Sequence, residues 1–241
     1  MGNGFEVSLY NMFDAFDIVD LTHILSPDIP TWNGSCGYCL EIKMDYDQMF
    51  RVQKMKIHAG LGTHMDAPSH QIEDGASIAE IPIEELLVPA CVIDVSEKAH
   101  GDYELSVEEV EAYEKKYGII PKGSLVMIQT GWSQFWTEPK KYRNVDENGQ
   151  MHFPAVSGSA GELFFERGIA GLAIDTLSPD CLNPSFPVHE ILLGAGKYII
   201  ENMANGSLMP PKGGYVIALP LRAEEATESP MRLLGLIPKE R

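Results

Sequence analysis

Three of the seven histidines in this 241-residue chain lie in one short segment, HAGLGTHMDAPSH, which runs from position 58 to position 70. His64 and Asp66 are two residues apart, so in an extended strand both side chains project from the same face. An imidazole nitrogen and a carboxylate oxygen bind zinc, manganese and other divalent cations at about 2.0–2.2 Å. The pair therefore predicts a metal site on this strand.

The residues on either side of the pair predict how the backbone presents it. Gly60 and Gly62 allow the chain to bend or to pack closely against a neighbour. Pro68 ends regular strand pairing, so His70 is expected on a turn beside the site. The alternative is that His64 and His70 are ordinary core or surface histidines.

A metal needs more than two protein ligands, and the remaining ones must come from distant positions. The best candidates are His189, in FPVHEILLGAG, and Glu201, at the end of the apolar segment KYIIEN. An acid after a run of tyrosine and isoleucine is costly to bury unless it binds a cation or a donor. A surface glutamate at a strand end is an equally open interpretation of Glu201.

Strand-like and helical segments are spread along the chain in a pattern typical of an α/β protein. Alternating or apolar runs predict strands at FDIVDLTH, CLEIKM, RVQKMKIH, ACVIDV, SLVMIQT, IAGLAID, KYIIEN, GYVIAL and RLLGLI. Helices are predicted for SVEEVEAYEKKYG, GELFFERG and VHEILLGAG. In the first of them, Ser106 and Glu109 form a capping box, and Gly118 favours a left-handed end.

The order of these elements predicts one domain over residues 1–241. Strands come first with few helices between them, and strands and helices alternate later, which favours two sheet layers and a helix layer. Residues 136–154 are polar, lack a hydrophobic period and carry the turn signal Asn148–Gly149. We interpret them as a long loop, either a lid or an interface arm.

Composition limits the partners and the location of the protein. The formal net charge of −17 repels nucleic-acid phosphates and anionic lipid headgroups. No apolar run approaches the roughly 20 residues of a membrane helix. The N-terminal segment lacks the basic start and long apolar stretch of a signal peptide, so we expect a cytoplasmic protein without nucleic-acid or membrane partners.

The four cysteines give one alternative hypothesis, that the protein is a thiol oxidoreductase. Cys36 and Cys39 form a CGYC motif, which in a thiol oxidoreductase stands at a helix N-terminus. Here the motif continues as the alternating pattern CLEIKM, which is typical of a strand. Cys91 lies in an apolar run and is expected to be a small core residue.

The segment GTHMDAPSH resembles the signature of the metal-dependent cyclase-like hydrolases, a family of the kynurenine formamidase and isatin hydrolase type. The family pattern is His-x-Gly-Thr-His-x-Asp-x-Pro-x-His. Four further segments resemble family blocks in the same order: FDIVDLTHILSPDIPTW, KGSLVMIQTGW, GIAGLAIDTLSPD and FPVHEILLGAGKYIIENMAN. The resemblance thus extends over most of the chain.

This resemblance implies a swivelling β/β/α single domain that forms a homo-oligomer, a dimer or a tetramer. It implies hydrolysis of a small amide by water activated on zinc or manganese. The substrate would be an arylformamide such as N-formylkynurenine or a cyclic amide such as isatin. By position, four residues match the family's metal ligands: His64, Asp66, His189 and Glu201.

Two further residues match the family by position. His70 corresponds to the catalytic acid/base. Trp32 falls where a tryptophan lines the substrate pocket and would stack on an aromatic substrate, although a packing residue beside a proline-rich turn is equally consistent with its surroundings.

The chain departs from the family pattern at Gly60, where the first histidine is expected. His58 lies two residues earlier on a regular strand pattern, and we expect it outside the metal site. With one ligand missing, we expect one tightly bound metal and a second that is weak or absent. A non-catalytic member that binds a metal or another ligand is the alternative function.

Overall fold

Twelve strands and four helices form within the residues that this computed structural model describes, 12–181 and 183–239. The strands are β1 (Phe16–Asp20), β2 (Tyr38–Met44), β3 (Val52–Ile57), β4 (His64–Asp66), β5 (Leu87–Asp94), β6 (Glu104–Leu105), β7 (Leu125–Gln129), β8 (Ala155–Val156), β9 (Gly171–Ile174), β10 (Tyr198–Glu201), β11 (Lys212–Pro220) and β12 (Glu228–Pro238). The helices are α1 (Val107–Tyr117), α2 (Pro139–Arg143), α3 (Gly158–Arg167) and α4 (Pro187–Gly194).

The main sheet closes into a barrel of seven strands in the order β12-β11-β5-β7-β9-β10-β4. The closing contact is made by β4, which pairs with both β10 and β12. Neighbouring strands from β5 to β10 are parallel, and helices connect them because a parallel crossover needs a long connection. The predicted α/β single domain is confirmed, with one sheet closed on itself where we expected two sheet layers.

Two hydrophobic cores lie on opposite sides of this sheet. Alternate strand residues such as Met65 and Ile200 fill the interior of the barrel. The residues between them, such as Ile199, pack under α1, α3 and α4. Since neighbours along a strand face opposite sides, His64 and Asp66 project away from Met65, toward the helices.

The helix ends follow the signals in the sequence. Ser106 and Glu109 form the predicted capping box at the start of α1. The first turn of α3 is capped by Ser157, whose hydroxyl accepts the Ala160 N–H at 3.2 Å. Gly168 ends α3 at a φ of 65°, a left-handed conformation that glycine adopts without strain.

The segment 136–154, predicted as a long loop, contains α2 and an isolated bridge between Val145 and Met151. Its aromatic residues pack into a third core together with Trp132 and Leu177, and Tyr142 is completely buried. The Tyr142 hydroxyl lies 2.9 Å from both the Asp175 carbonyl and the Asn202 side-chain oxygen. A role of this segment as a lid or interface arm stays a prediction.

The surroundings of the CGYC motif differ from those expected of a thiol oxidoreductase. Cys39 lies within β2, which pairs with β3 as a separate two-stranded ribbon, so the CGYC motif does not begin a helix. Cys91 is buried, as predicted.

Among the described residues, no helix is long and apolar enough to cross a bilayer. Residues 1–11, on which the signal-peptide prediction rests, lie outside the described part.

A buried ion pair joins α1 to α3, and it predicts a measurable loss of stability when it is broken. Nε and Nη2 of the Arg167 guanidinium donate hydrogen bonds to the two oxygens of the Glu114 carboxylate, at 2.7 and 2.8 Å. This hydrogen bonding lowers the pKa of Glu114. The contribution is therefore present above the usual carboxyl pKa and is lost as the pH falls through the lowered value.

We expect Glu114→Gln to reduce the free energy of unfolding by about 1–3 kcal/mol at neutral pH, the usual range for a hydrogen-bonded charged group. Glu111→Gln, an exposed position on the same helix, is the control. Urea unfolding at pH 7 and pH 3 measures both, and the difference between the variants should shrink at pH 3. An equal stability at pH 7 would contradict the assignment.

Candidate metal centre

The short strand β4 places its side chains opposite acidic residues of both neighbouring strands. His64 is paired with Glu201 of β10, and Asp66 is paired with Glu228 of β12. Residues directly opposite one another in antiparallel strands project from the same face. Strand register alone therefore brings one histidine and three carboxylates together on the outer side of the barrel, beneath α4.

The ring of His64 is oriented by the turn before β4. Its Nδ1 lies 2.9 Å from the Gly62 carbonyl, which also accepts a hydrogen bond from the Asn202 amide at 3.0 Å. Gly62 has a φ of 66°, and a Cβ there would lie 2.4 Å from the Leu25 side chain, so the turn requires glycine. A proton on Nδ1 leaves the lone pair of Nε2 directed at the carboxylates.

His189 is held in the same way, by Asp180. The helix α4 begins at Pro187, and the Asp180 carboxylate accepts the backbone N–H groups of Val188 and His189 at 3.1 and 3.0 Å. The same carboxylate lies 2.8 Å from Nδ1 of His189. A carboxylate on one ring nitrogen fixes the tautomer of a metal-binding histidine and raises its basicity.

The four predicted metal ligands form a closed ring of side-chain contacts. Nε2 of His64 lies 3.4 Å from an oxygen of Asp66 and 3.4 Å from an oxygen of Glu201. Nε2 of His189 lies 3.7 and 3.6 Å from the other oxygens of the same two carboxylates. Ligand atoms around one cation with bonds near 2.1 Å are separated by about 3–3.5 Å, which fits the two contacts of His64. Ligand atoms of His64, Asp66 and Glu201 all lie within 4.8 Å of one another, whereas the contacts of His189 are slightly longer.

Asp66 gives an independent test of this fit. The residue is 1% exposed, and neither carboxylate oxygen has a hydrogen-bond partner. An unpaired buried carboxylate is costly unless a cation or a donor satisfies it. None of the described residues that line the cavity is a lysine or arginine. The donor set therefore matches a divalent cation, with nitrogen and oxygen ligands suited to zinc or manganese.

Burial and mutual repulsion shift the pKa values of this cluster. Burial, with the nearby charge of Asp66, raises the pKa of Glu201 well above its usual value. Burial also acts to raise the pKa of Asp66, but the neighbouring His64 and His189 outweigh it and hold that pKa low. For His189, burial lowers the pKa, while Asp180 and Asp66 together raise it to about 10. The carboxylates around His189 therefore favour a positive charge between them.

His70 lies at the edge of the same cluster, on the single turn Pro68–His70. Its Nδ1 is 3.5 Å from an oxygen of Glu228, and this pairing raises its pKa. Asp66, His70 and Glu228 offer ligand atoms that lie within 4.8 Å of one another. The predicted turn position is confirmed, and the partner Glu228 is a finding of the structure.

A cavity of about 450 Å³ opens above these groups. Trp32 is 44% exposed and lines it, with ring centroids 6.3 Å from Phe153 and 6.1 Å from Phe186. Phe186 also lines the cavity. The cavity therefore combines an aromatic wall with a polar floor, as small-molecule sites commonly do.

The structure also shows where His58 and Gly60 lie, at the point where the chain departs from the family pattern. His58 is exposed and is not among the residues that line the cavity. Gly60 does line it, and its missing side chain leaves room that Glu228 occupies.

Sequence reasoning missed Asp180, Glu228 and Phe186. Asp180 precedes His189 by nine residues, a spacing that has no periodic meaning, so only the path of the chain brings them together. Glu228 becomes recognisable only through the pairing of β12 with β4.

Comparison with known proteins identifies the family of this chain. Residues 19–181 match the sequence model of the Cyclase family, which covers more than half of the chain. The chain belongs to the Cyclase family. The family match includes His64, Asp66 and His70, and it ends before His189 and Glu201, which the fold adds to the site.

Relatives of this Cyclase family chain are known by name and by structure. An isatin hydrolase of Roseibium aggregatum is 30% identical over 245 residues, which cover 92% of each chain. A kynurenine formamidase of Bacillus mycoides is 26% identical over 219 residues, 89% of this chain and 94% of that one. The structure of isatin hydrolase A from Labrenzia aggregata, bound to benzyl benzoate, superposes with a TM-score of 0.87 at 33% identity, covering 94% and 95% of the two chains.

The contact between Asp180 and His189 predicts the effect of removing the charge behind a candidate metal ligand. We expect Asp180→Asn to weaken Mn²⁺ and Zn²⁺ binding by roughly 10- to 100-fold, the usual effect of losing such a partner. Competition with a chromophoric chelator measures the affinity. Asp102→Asn removes the charge from a comparable but exposed pair, with His152 at 2.6 Å, and should leave the affinity unchanged. Wild-type affinity in Asp180→Asn would mean that Asp180 only caps α4.

Proposed function

We propose that this protein is a divalent-cation-dependent hydrolase that cleaves the C–N bond of a small aromatic amide. The substrate is a cyclic amide such as isatin or an arylformamide such as N-formylkynurenine. The observation that carries the proposal is the ring of contacts among His64, Asp66, His189 and Glu201. Within this ring, neither oxygen of Asp66 has a hydrogen-bond partner. The names of the relatives, isatin hydrolase and kynurenine formamidase, support the same class of reaction.

The four ring residues would hold the cation, zinc or manganese. A cation bound there supplies two things, a coordinated water whose pKa falls toward ~7 and a Lewis acid for the amide carbonyl. Through the Gly62 carbonyl and Asp180, the protein keeps both histidine rings oriented with Nε2 inward. Burial of the site beneath α4 limits competing water and strengthens each of these electrostatic contacts.

The aromatic wall would orient the substrate. Trp32 and Phe186 offer flat apolar surface beside the polar floor, and an aryl ring packed there directs its amide toward Asp66 and Glu201. Hydrolysis adds the elements of water across the C–N bond, so the carbonyl carbon gains oxygen and the nitrogen gains a proton.

His70 would transfer that proton. Glu228 beside its Nδ1 favours a proton on that nitrogen and leaves Nε2 free to exchange a proton with the substrate. The homo-oligomeric state implied by the family resemblance, and the cytoplasmic location expected from the charge and the N-terminal segment, are part of the same proposal.

Metal reconstitution tests this function. Protein stripped with a chelator is given Mn²⁺ or Zn²⁺ and assayed by absorbance on isatin, on N-formylkynurenine and on an aliphatic formamide of similar size. We expect turnover of an aromatic amide that returns only with the added cation. Turnover that persists in stripped protein would contradict the metal dependence. Tight cation binding without turnover of any of the amides would favour the non-catalytic alternative.

The role of His70 predicts a variant that separates chemistry from metal binding. We expect His70→Ala to lose turnover by roughly a hundredfold or more, the scale of acid/base catalysis, and to keep wild-type metal content. Elemental analysis after dialysis and initial rates measure the two properties. His152→Ala, which removes a surface histidine, is the control and should change neither. Loss of metal in His70→Ala would identify His70 as a ligand and contradict the assigned role.

A further inference from the structure

Glu228 is an acid in the cavity that the sequence pattern assigns to no role. It is the first residue of β12, and the strand pairing sets it directly opposite Asp66. Its side chain is only partly exposed and lines the cavity with the four ring residues.

The position of this carboxylate coincides with the space that opens at Gly60. A Cβ built on Gly60 would lie 2.0 Å from Oε1 of Glu228 and 3.4 Å from Nε2 of His64. One oxygen of Glu228 therefore fills the volume that a side chain at position 60 would take, and that volume also borders Nε2 of His64. Its other oxygen lies 3.5 Å from His70. The two oxygens thus face different neighbours.

The unpaired oxygens of Asp66 indicate the role of the neighbouring Glu228 carboxylate. Asp66 belongs to two overlapping groups of metal-ligating side chains, one with His64 and Glu201 and one with His70 and Glu228. A second carboxylate beside a buried carboxylate without hydrogen-bond partners increases the repulsion unless a cation lies between them. The surplus of acids therefore points to a ligand role for Glu228 and not to a role in packing.

We propose that Glu228 is a ligand of the divalent cation and replaces the side chain that Gly60 lacks. This inference rests on the proposed function, because it assumes that the site binds a cation. The exchange has a chemical consequence, since imidazole favours zinc whereas a carboxylate also favours harder cations such as Mn²⁺. Relative to a site with histidine at position 60, this site should bind Mn²⁺ better with respect to Zn²⁺.

Metal affinities of single variants test the ligand role. Mn²⁺ and Zn²⁺ are titrated by chelator competition into stripped wild type, Glu228→Gln and Glu228→Ala, with electron paramagnetic resonance of bound Mn²⁺ as a second readout. We expect Glu228→Gln, which keeps the shape of the side chain, to bind Mn²⁺ at least about tenfold more weakly, the lower limit for losing even an indirect partner. Glu224→Gln, an exposed acid four residues earlier, is the matched control and should bind like wild type.

A ligand exchange gives the complementary test. Gly60→His alone should bind metal poorly, because Oε1 of Glu228 occupies the space of the new side chain. The double variant Gly60→His/Glu228→Ala removes that conflict, and we expect it to recover Zn²⁺ affinity more than Mn²⁺ affinity. Failure of the double variant to exceed Glu228→Ala in Zn²⁺ affinity would contradict the replacement.

The outcomes separate this inference from the function on which it rests. A wild type that binds neither cation overturns both. A wild type that binds Mn²⁺, with Glu228→Gln equal to it in affinity, overturns the ligand role alone. If the pH profile of turnover then shifts in Glu228→Gln, Glu228 acts by orienting His70 and not as a ligand.

Discussion

Asp66 lies at the seam where β4 closes the barrel, and both of its buried oxygens lack a hydrogen-bond partner. Two histidines face this carboxylate. The histidines His64 and His189 are each held with Nε2 toward it, by the Gly62 carbonyl and by Asp180. The barrel needs β4 to pair on both sides, so the fold holds this buried, unpaired carboxylate in place. In our account a cation offsets that cost, and its binding would therefore also stabilise the fold.

The sequence predicts those parts of the site that local periodicity determines. His64 and Asp66 share a face because they are two residues apart on a strand, and Met65 between them enters the barrel core. The ends of α1 and α3 follow from a capping box and from a glycine in a left-handed conformation. These features depend on interactions between residues near one another in the chain, which a pattern records directly. The distant candidate ligands His189 and Glu201 follow from the family resemblance, with burial chemistry as a weaker guide.

The parts that sequence could not predict depend on long-range pairing. Glu228 reaches the site through the register of β12 against β4, and no local pattern contains that register. The segment 136–154 has no hydrophobic period because its aromatic residues point into a pocket between elements, where Tyr142 binds Asp175 and Asn202. The closure of the barrel could not be predicted from the sequence either, because β4 is only three residues long. We expect a weak second metal only because Gly60 leaves one ligand missing. If Glu228 is a ligand, as we propose, the number of ligands is no longer reduced and this expectation loses its basis.

Anomalous diffraction tests the central claim most directly, that Asp66 is a ligand of a divalent cation at the barrel seam. Crystals grown with Mn²⁺ and measured at the manganese edge should show a peak about 2.0–2.3 Å from an oxygen of Asp66, with His64 and Glu201 bonded to the same ion. Absence of a peak there, with the Asp66 oxygens bound instead to protonated His64 and His189, would contradict the account.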